Sequence, residues 1–71
     1  MFLQAAEVAE RITSLRPLDP EAHLRAGMYH LLYTSERDRA RADFLEALRL
    51  RPGFAEAQSF LRRIEAEAGN G

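Results

Sequence analysis

Apolar residues recur every three or four positions along most of the chain, which is the spacing of one face of an α-helix. No segment shows the strict alternation that is typical of a half-buried strand. The pattern therefore predicts a single all-α domain over residues 1–71, with four antiparallel helices at about residues 2–15, 20–33, 36–50 and 54–68. In the last two helices the predicted buried stripes are Ala40, Phe44, Ala47 and Leu48, then Phe54, Ala57, Leu61 and Ile64, with Phe60 beside them.

Two helix starts carry capping signals. Asp19 suits the N-cap of helix 2, and Pro20 suits its first helical position, where no backbone N–H is needed. Ser35 is predicted to cap helix 3, with Asp38 returning the hydrogen bond as in a capping box. The polar residues of helix 3 are predicted to face outward: Arg37, Arg39, Arg41, Asp43, Glu46 and Arg49.

Helix 2 is apolar nearly all round over residues 24–33, which is unusual in a protein of 71 residues. A helix with no polar face is expected to be covered on more than one side. Tyr29, Leu32 and Tyr33 are expected to supply bulk that points inward.

An eight-residue phrase, L-R-P-x-x-x-E-A, occurs at residues 15–22 and again 35 positions later at residues 50–57. Proline lacks an N–H and disfavours helical geometry in the residue before it, so Pro17 and Pro52 each end a helix. Glu21 and Glu56 then open the next helix, where the helix dipole favours a carboxylate. The phrase predicts two equivalent corners and indicates an internal repeat.

The repeat resembles the tetratricopeptide repeat (TPR) family, whose second helix carries A-x3-F and whose unit ends with a proline. Ala40, Phe44 and Pro52 match that half of the motif. The first helix of the motif is matched in outline by His23, Ala26, Gly27 and His30. The resemblance implies a short, right-handed stack of helical hairpins, with one full repeat flanked by two half repeats.

The match has departures. Histidines stand where the family has aromatic residues, and the turn between helices 2 and 3 is one residue longer than the family spacing. Shifting helix 2 by one residue would instead place Leu24, Gly27, Met28 and Leu31 in the motif roles. We prefer the first register because it keeps Gly27 at the family's small position, where two helices approach too closely for a side chain.

In the TPR family the first helix of each repeat lines a groove that binds a partner segment. By resemblance, the groove residues here are Glu21, Leu24, Met28 and Leu31, flanked by Arg25 and Leu32. An alternative interpretation is that these residues simply face helix 4 and the core. A third interpretation is that the excess apolar surface is a homodimer interface, which would cover the open end of helix 1.

Charge and composition bear on the kind of partner and on the location of the protein. The net charge of −1 gives no reason to expect nucleic-acid or membrane binding, and the arginine run at residues 37–41 is interrupted by Asp38. There is neither a signal-peptide pattern nor a long apolar run, so a cytoplasmic location is expected. All ten basic residues are Arg and twelve residues are Ala, which suggests a GC-rich, bacterial genome.

No catalytic residue, cofactor or metal site is expected. His23 and His30 are seven residues apart, roughly 10 Å along a helix, so one ion would not reach both. There is no cysteine, no glycine-rich phosphate loop, and no hydroxyl with a histidine and an acid in an evident arrangement.

We therefore expect a non-catalytic protein–protein interaction or scaffold module that binds a protein or peptide partner along helix 2. Two alternatives remain open. One is a structural module that self-assembles into a homodimer or higher homo-oligomer through its open repeat ends. The other is a regulatory fragment of a bacterial transcription regulator, since residues 10–50 are also similar to the helical hairpins of activator domains.

Overall fold

The computed structural model describes residues 10–69, and these residues confirm the predicted all-α class because they contain no strand. The helices are α1 (10–15 as far as it is described), α2 (Pro20–Tyr29), α3 (Arg37–Leu50) and α4 (Ala55–Gly69). A π-helical segment, His30–Thr34, continues α2. The predicted start of helix 1 lies outside the described residues.

The start of α2 confirms the predicted cap. Asp19 is the N-cap in extended conformation, and its Oδ1 accepts a hydrogen bond from the Glu21 N–H at 2.9 Å. Pro20 follows at the start of the helix, where its fixed φ fits and its missing N–H costs nothing. Local capping chemistry therefore fixes this end of α2.

The junction of α2 and α3 differs from the prediction. Ser35 does not cap α3; it ends the π-helical segment in the left-handed region, at φ 57°. The N-cap of α3 is Glu36, which makes no side-chain capping bond. Thr34 supplies the hydroxyl instead, since its Oγ1 donates to the His30 carbonyl at 2.9 Å and accepts from the Glu36 N–H at 3.3 Å. The capping box of Ser35 and Asp38 is thus wrong, because a serine in the left-handed conformation is not placed as an N-cap.

The segment that precedes Ser35 is not a regular α-helix. The chain widens within the helix itself, through the π-helical turn of His30–Thr34, before it reaches Ser35. π-Helical turns are rare and occur mostly as short interruptions of α-helices.

The core lies between α2, α3 and α4, where α2 packs on α3 and α3 packs on α4. Phe44 of α3 is fully buried, and its ring stacks on Phe60 of α4 with centroids 5.1 Å apart. The predicted stripes of α3 and α4 are confirmed, with Leu48 and Leu61 partly buried at the margin. The buried cluster consists of Leu24, Ala40, Phe44, Ala47, Phe54, Ala57 and Ile64.

The two L-R-P corners make matching hydrogen bonds. Asp19 N–H donates to the Arg16 carbonyl at 3.1 Å, and Phe54 N–H donates to the Arg51 carbonyl at 3.0 Å. Each proline carbonyl also accepts from a side chain six residues later. The Nε2 of His23 lies 2.8 Å from the Pro17 oxygen, and the Nε2 of Gln58 lies 3.2 Å from the Pro52 oxygen. The repeated phrase therefore forms the same local structure twice.

Within residues 10–69, no helix is both long enough and apolar enough to cross a membrane.

Candidate partner-binding face

The six predicted groove residues do not all lie on one surface. Leu24 is only 6% exposed and belongs to the core, so it is not available for direct contact with a partner. Met28 and Leu31 are half-buried and pack against the same core. Those that reach solvent are Glu21, Arg25 and Leu32.

The C-terminal end of α2 presents apolar side chains that were expected to point inward. Leu32 is 60% exposed and Tyr33 is 68% exposed, which corrects that expectation. Tyr29 is half-buried, and its ring lies 5.5 Å from the Tyr33 ring, centroid to centroid, at an interplanar angle of 34°. Leu32 and Tyr33 both lie in the π-helical segment that continues α2.

Two shallow grooves border α2 and share one residue. The first, which we call the aromatic groove, is lined by Arg25, Met28, Tyr29, Leu32 and Tyr33. The second, the corner groove, lies where α1 turns into α2. It is lined by Ile12, Leu15, Arg16, Asp19, Glu21, Ala22 and Arg25. Because Arg25 lines both, the grooves adjoin along one side of α2.

The charged residues of these grooves differ in their pairing. Arg16 lies 3.7 Å from Asp19, and Glu21 lies 3.9 Å from Arg51. Arg25 is exposed and makes no ion pair or side-chain hydrogen bond with any residue between 10 and 69. A guanidinium with five donors beside two tyrosines and a leucine is thus left to solvent.

A third groove, on the other side of Leu32, is lined by charged side chains, most of which form ion pairs with one another. Besides Leu31 and Leu32 it contains arginines from both α3 and α4. Arg37 lies 3.7 Å from Glu67, and Arg39 lies 3.0 Å from Glu36. Arg41, the remaining arginine of the run, lies 3.8 Å from Glu65. These pairs give a solvated face of mixed charge, in which each arginine of the run already has a carboxylate.

Asp43 corrects a further expectation, because it does not lie on the outer face of α3. Its side chain is only 21% exposed, and its Oδ2 is 3.6 Å from Nε2 of the buried His30. That distance allows an ion pair but is too long for a hydrogen bond. Neither the buried Oδ2 of Asp43 nor Nδ1 of His30 has a hydrogen-bond partner among residues 10–69. Burial raises the pKa of Asp43 above its ordinary value, and the nearby His30 partly offsets that rise.

The two histidines have separate structural surroundings. His23 bonds to the Pro17 carbonyl, which can only accept, so its Nε2 carries the hydrogen. His30 faces Asp43 inside the fold. Among residues 10–69, no group of three or more histidine or acidic side chains is close enough to hold a metal ion.

Comparison of the chain with protein-family models, with curated protein sequences and with solved structures finds no match.

Sequence reasoning missed Tyr29 and Tyr33 as surface residues. Their spacing of four residues is a recognisable signal, since such a pair lies on one side of a helix.

Proposed function

We propose that the chain is a non-catalytic protein–protein interaction module, a TPR-like stack of antiparallel helical hairpins that binds a partner segment along α2. The observation that carries this proposal is the exposure of Leu32 and Tyr33 side by side, next to Arg25, which has no ion partner in the described part of the chain. Exposed apolar side chains grouped together on a small protein are typical of interaction sites. Tyrosine and arginine are also the residues that contribute most often to interface hot spots.

The stacked architecture is supported by two features. The close approach of α2 and α3 falls at Gly27, the residue that the repeat pattern places at its small position. The two corners, 35 residues apart, make the same hydrogen bonds. A stack built this way leaves one side of α2 open wherever no further hairpin follows.

The proposal is tested with random 16-residue linear peptides displayed on phage and selected against the full chain. We expect enriched peptides to lose at least tenfold in affinity for Leu32→Glu and to keep their affinity for Leu45→Glu. Leu45 is a matched control because it is an exposed leucine, 44% accessible, on α3 and lines neither groove. Circular dichroism checks that both variants remain folded. Peptides that bind Leu32→Glu as tightly as the wild type, or no enrichment at all, would contradict the proposal.

A second candidate is self-association, favoured by the corner between α1 and α2. Leu15 and Leu18 are 75% and 77% exposed there. Sedimentation equilibrium at micromolar concentration separates the two functions. A monomer of 8.1 kDa would exclude self-association, whereas a dimer that dissociates on Leu18→Glu would favour it.

A further inference from the structure

We infer that the partner segment is an amphipathic helix of about three turns, which lies along the aromatic and corner grooves and sets a carboxylate against Arg25. This inference rests on the proposed function and specifies the chemistry of its partner. Four observations support it: the length of the surface, its lack of free backbone groups, its one unpaired charge, and its small size.

The length follows from the way the two grooves adjoin. They run beside α2 from Glu21 in the corner groove to Tyr33 at the far end of the aromatic groove. Twelve helical steps span at most roughly 18 Å, since 1.5 Å per residue is the α-helical rise and the π-helical residues at the end rise less. A partner helix of roughly 12 residues would cover this length, with apolar side chains at three- and four-residue spacing.

A helix suits this surface better than an extended chain does. The backbone of α2 is engaged in its own hydrogen bonds, so it offers no edge with which an extended strand could pair. The polar side chains of the aromatic groove are one arginine and two tyrosines. An extended segment buried there would leave its own N–H and C=O groups without partners, which is costly, whereas a helix satisfies them internally.

Charge defines the polar side of the partner. Of the charged residues that line the two grooves, Arg16, Asp19 and Glu21 have ion partners within the chain. Arg25, at the junction, has none among the described residues, and it stands beside apolar surface. A partner carboxylate placed there would form a charge-assisted, potentially bidentate hydrogen bond, which is stronger than a neutral one.

The size of the surface argues against a second copy of this chain as the occupant. A stable protein–protein interface engages about 20–30 residues on each side. The side chains with which a partner would make most contact here number six, of which two are half-buried: Leu15, Arg25, Met28, Tyr29, Leu32 and Tyr33. Such a strip fits a single short helix.

The test uses two displayed libraries with the same number of randomised positions. In one, the positions lie on the exposed face of a rigid helical scaffold; in the other, a proline at every fourth position prevents helix formation. We expect the full chain to enrich only the helical library, with an acidic residue at one fixed position. Synthetic peptides of the selected sequences then serve as probes in titrations by fluorescence anisotropy.

Charge exchange tests the role of Arg25. We expect Arg25→Glu to weaken the selected peptides at least tenfold, and replacement of the peptide's acid by arginine to restore binding to that variant. Arg62→Glu is the matched control, since Arg62 is an exposed arginine on α4 outside both grooves, and it should leave the affinity unchanged. Helical peptides that bind Arg25→Glu and the wild type equally would overturn the inference.

Other outcomes separate this inference from the proposed function. If proline-containing peptides are enriched and are weakened by Leu32→Glu, the interaction module stands and the helical partner is wrong. If selected peptides of both libraries ignore Leu32→Glu, both are wrong. If the chain sediments as a dimer that Leu32→Glu dissociates, the occupant is a second copy, and the inference is overturned.

Discussion

The ring of Phe44 lies so close to Gly27 that a Cβ atom at Gly27 would be 2.6 Å from its Cε1, with Cζ and Cδ1 at 2.8 and 2.9 Å. The ring has little room to yield, because it is fully buried and stacked on Phe60. Glycine at position 27 therefore sets the distance between α2 and α3. The same contact links those helices to α4 through the two phenylalanines.

We predict that Gly27→Ala destabilises the protein, although alanine normally stabilises a helix interior by roughly 0.5–1 kcal/mol relative to glycine. Overpacking of a well-filled core costs about 1–3 kcal/mol, so the clash with Phe44 outweighs the gain. Urea denaturation followed by circular dichroism measures the difference.

Gly53→Ala is the matched control for that substitution. A Cβ at Gly53 would meet nothing within 4 Å, and the φ of Gly53 is not positive. Its stability should equal or slightly exceed that of the wild type. A Gly27→Ala variant as stable as Gly53→Ala would show that the Phe44 ring moves without cost.

The cap of α2 gives a second prediction. Asp19→Ala removes the acceptor for the Glu21 N–H and should cost about 0.5–2 kcal/mol in the free energy of unfolding. Asp19→Asn keeps a side-chain oxygen and loses the charge that faces Arg16 and the N-terminus of α2, so its cost should be clearly smaller. Equal losses in the two variants would mean that the charge of Asp19, and not its capping hydrogen bond, stabilises this corner.

Substitutions at Ser35 test the steric cost of the left-handed conformation that follows the π-helical turn. A β-branched side chain is strained at φ 57°, so Ser35→Val should destabilise by about 1–3 kcal/mol. Ser35→Gly should be at least as stable as the wild type, because glycine adopts this conformation without a steric penalty. Ser59→Val, on the exposed side of α4, should change the stability by no more than about 0.5 kcal/mol. Thermal melts of the three variants check the order.

The raised pKa of Asp43 predicts that the stability of the protein depends on pH. Its pKa is raised from the ordinary 3.8 by burial, so the folded protein binds more protons than the unfolded chain between that value and the raised one. The contribution of Asp43 to stability is therefore present at low pH and is lost as pH rises through this window. We expect Asp43→Asn to be more stable than the wild type at pH 7, with an advantage that shrinks as pH falls towards 4.

Glu46→Gln provides the control of opposite sign. The hydrogen bond from Arg49 lowers the pKa of Glu46, so its contribution appears as pH rises and is lost in acid. Denaturation curves between pH 3 and 7 compare both variants with the wild type. If Asp43→Asn is less stable at pH 7, the attraction of His30 outweighs the burial of the Asp43 carboxylate.

Much of the fold follows from short-range signals. Asp19 and Pro20 set the start of α2 through chemistry confined to three residues, so the sequence alone locates it. Ala40, Phe44 and Ala47 are buried as their helical spacing predicts, because an α-helix of regular geometry keeps such residues on one side.

The errors cluster around His30–Thr34, where the helix is not regular. Leu32 and Tyr33 lie in this segment and face solvent instead of the core. Leu32 follows the exposed Arg25 by seven residues, a spacing that places both on one side of a helix. Ser35 takes the left-handed conformation, and Asp43 faces the buried His30; both depend on how α2 ends, which no local pattern reveals.

The carbonyl oxygen of His30 accepts three hydrogen bonds, from the Thr34 hydroxyl, the Ser35 N–H and the Glu36 N–H. At each proline corner, by contrast, the bonds are divided between two carbonyls, one of them reached by a side chain. An inserted residue between His30 and Glu36 would disturb all three bonds at once. The connection between α2 and α3 is thus fixed in length, because a longer one would separate the His30 carbonyl from the donors of Thr34, Ser35 and Glu36.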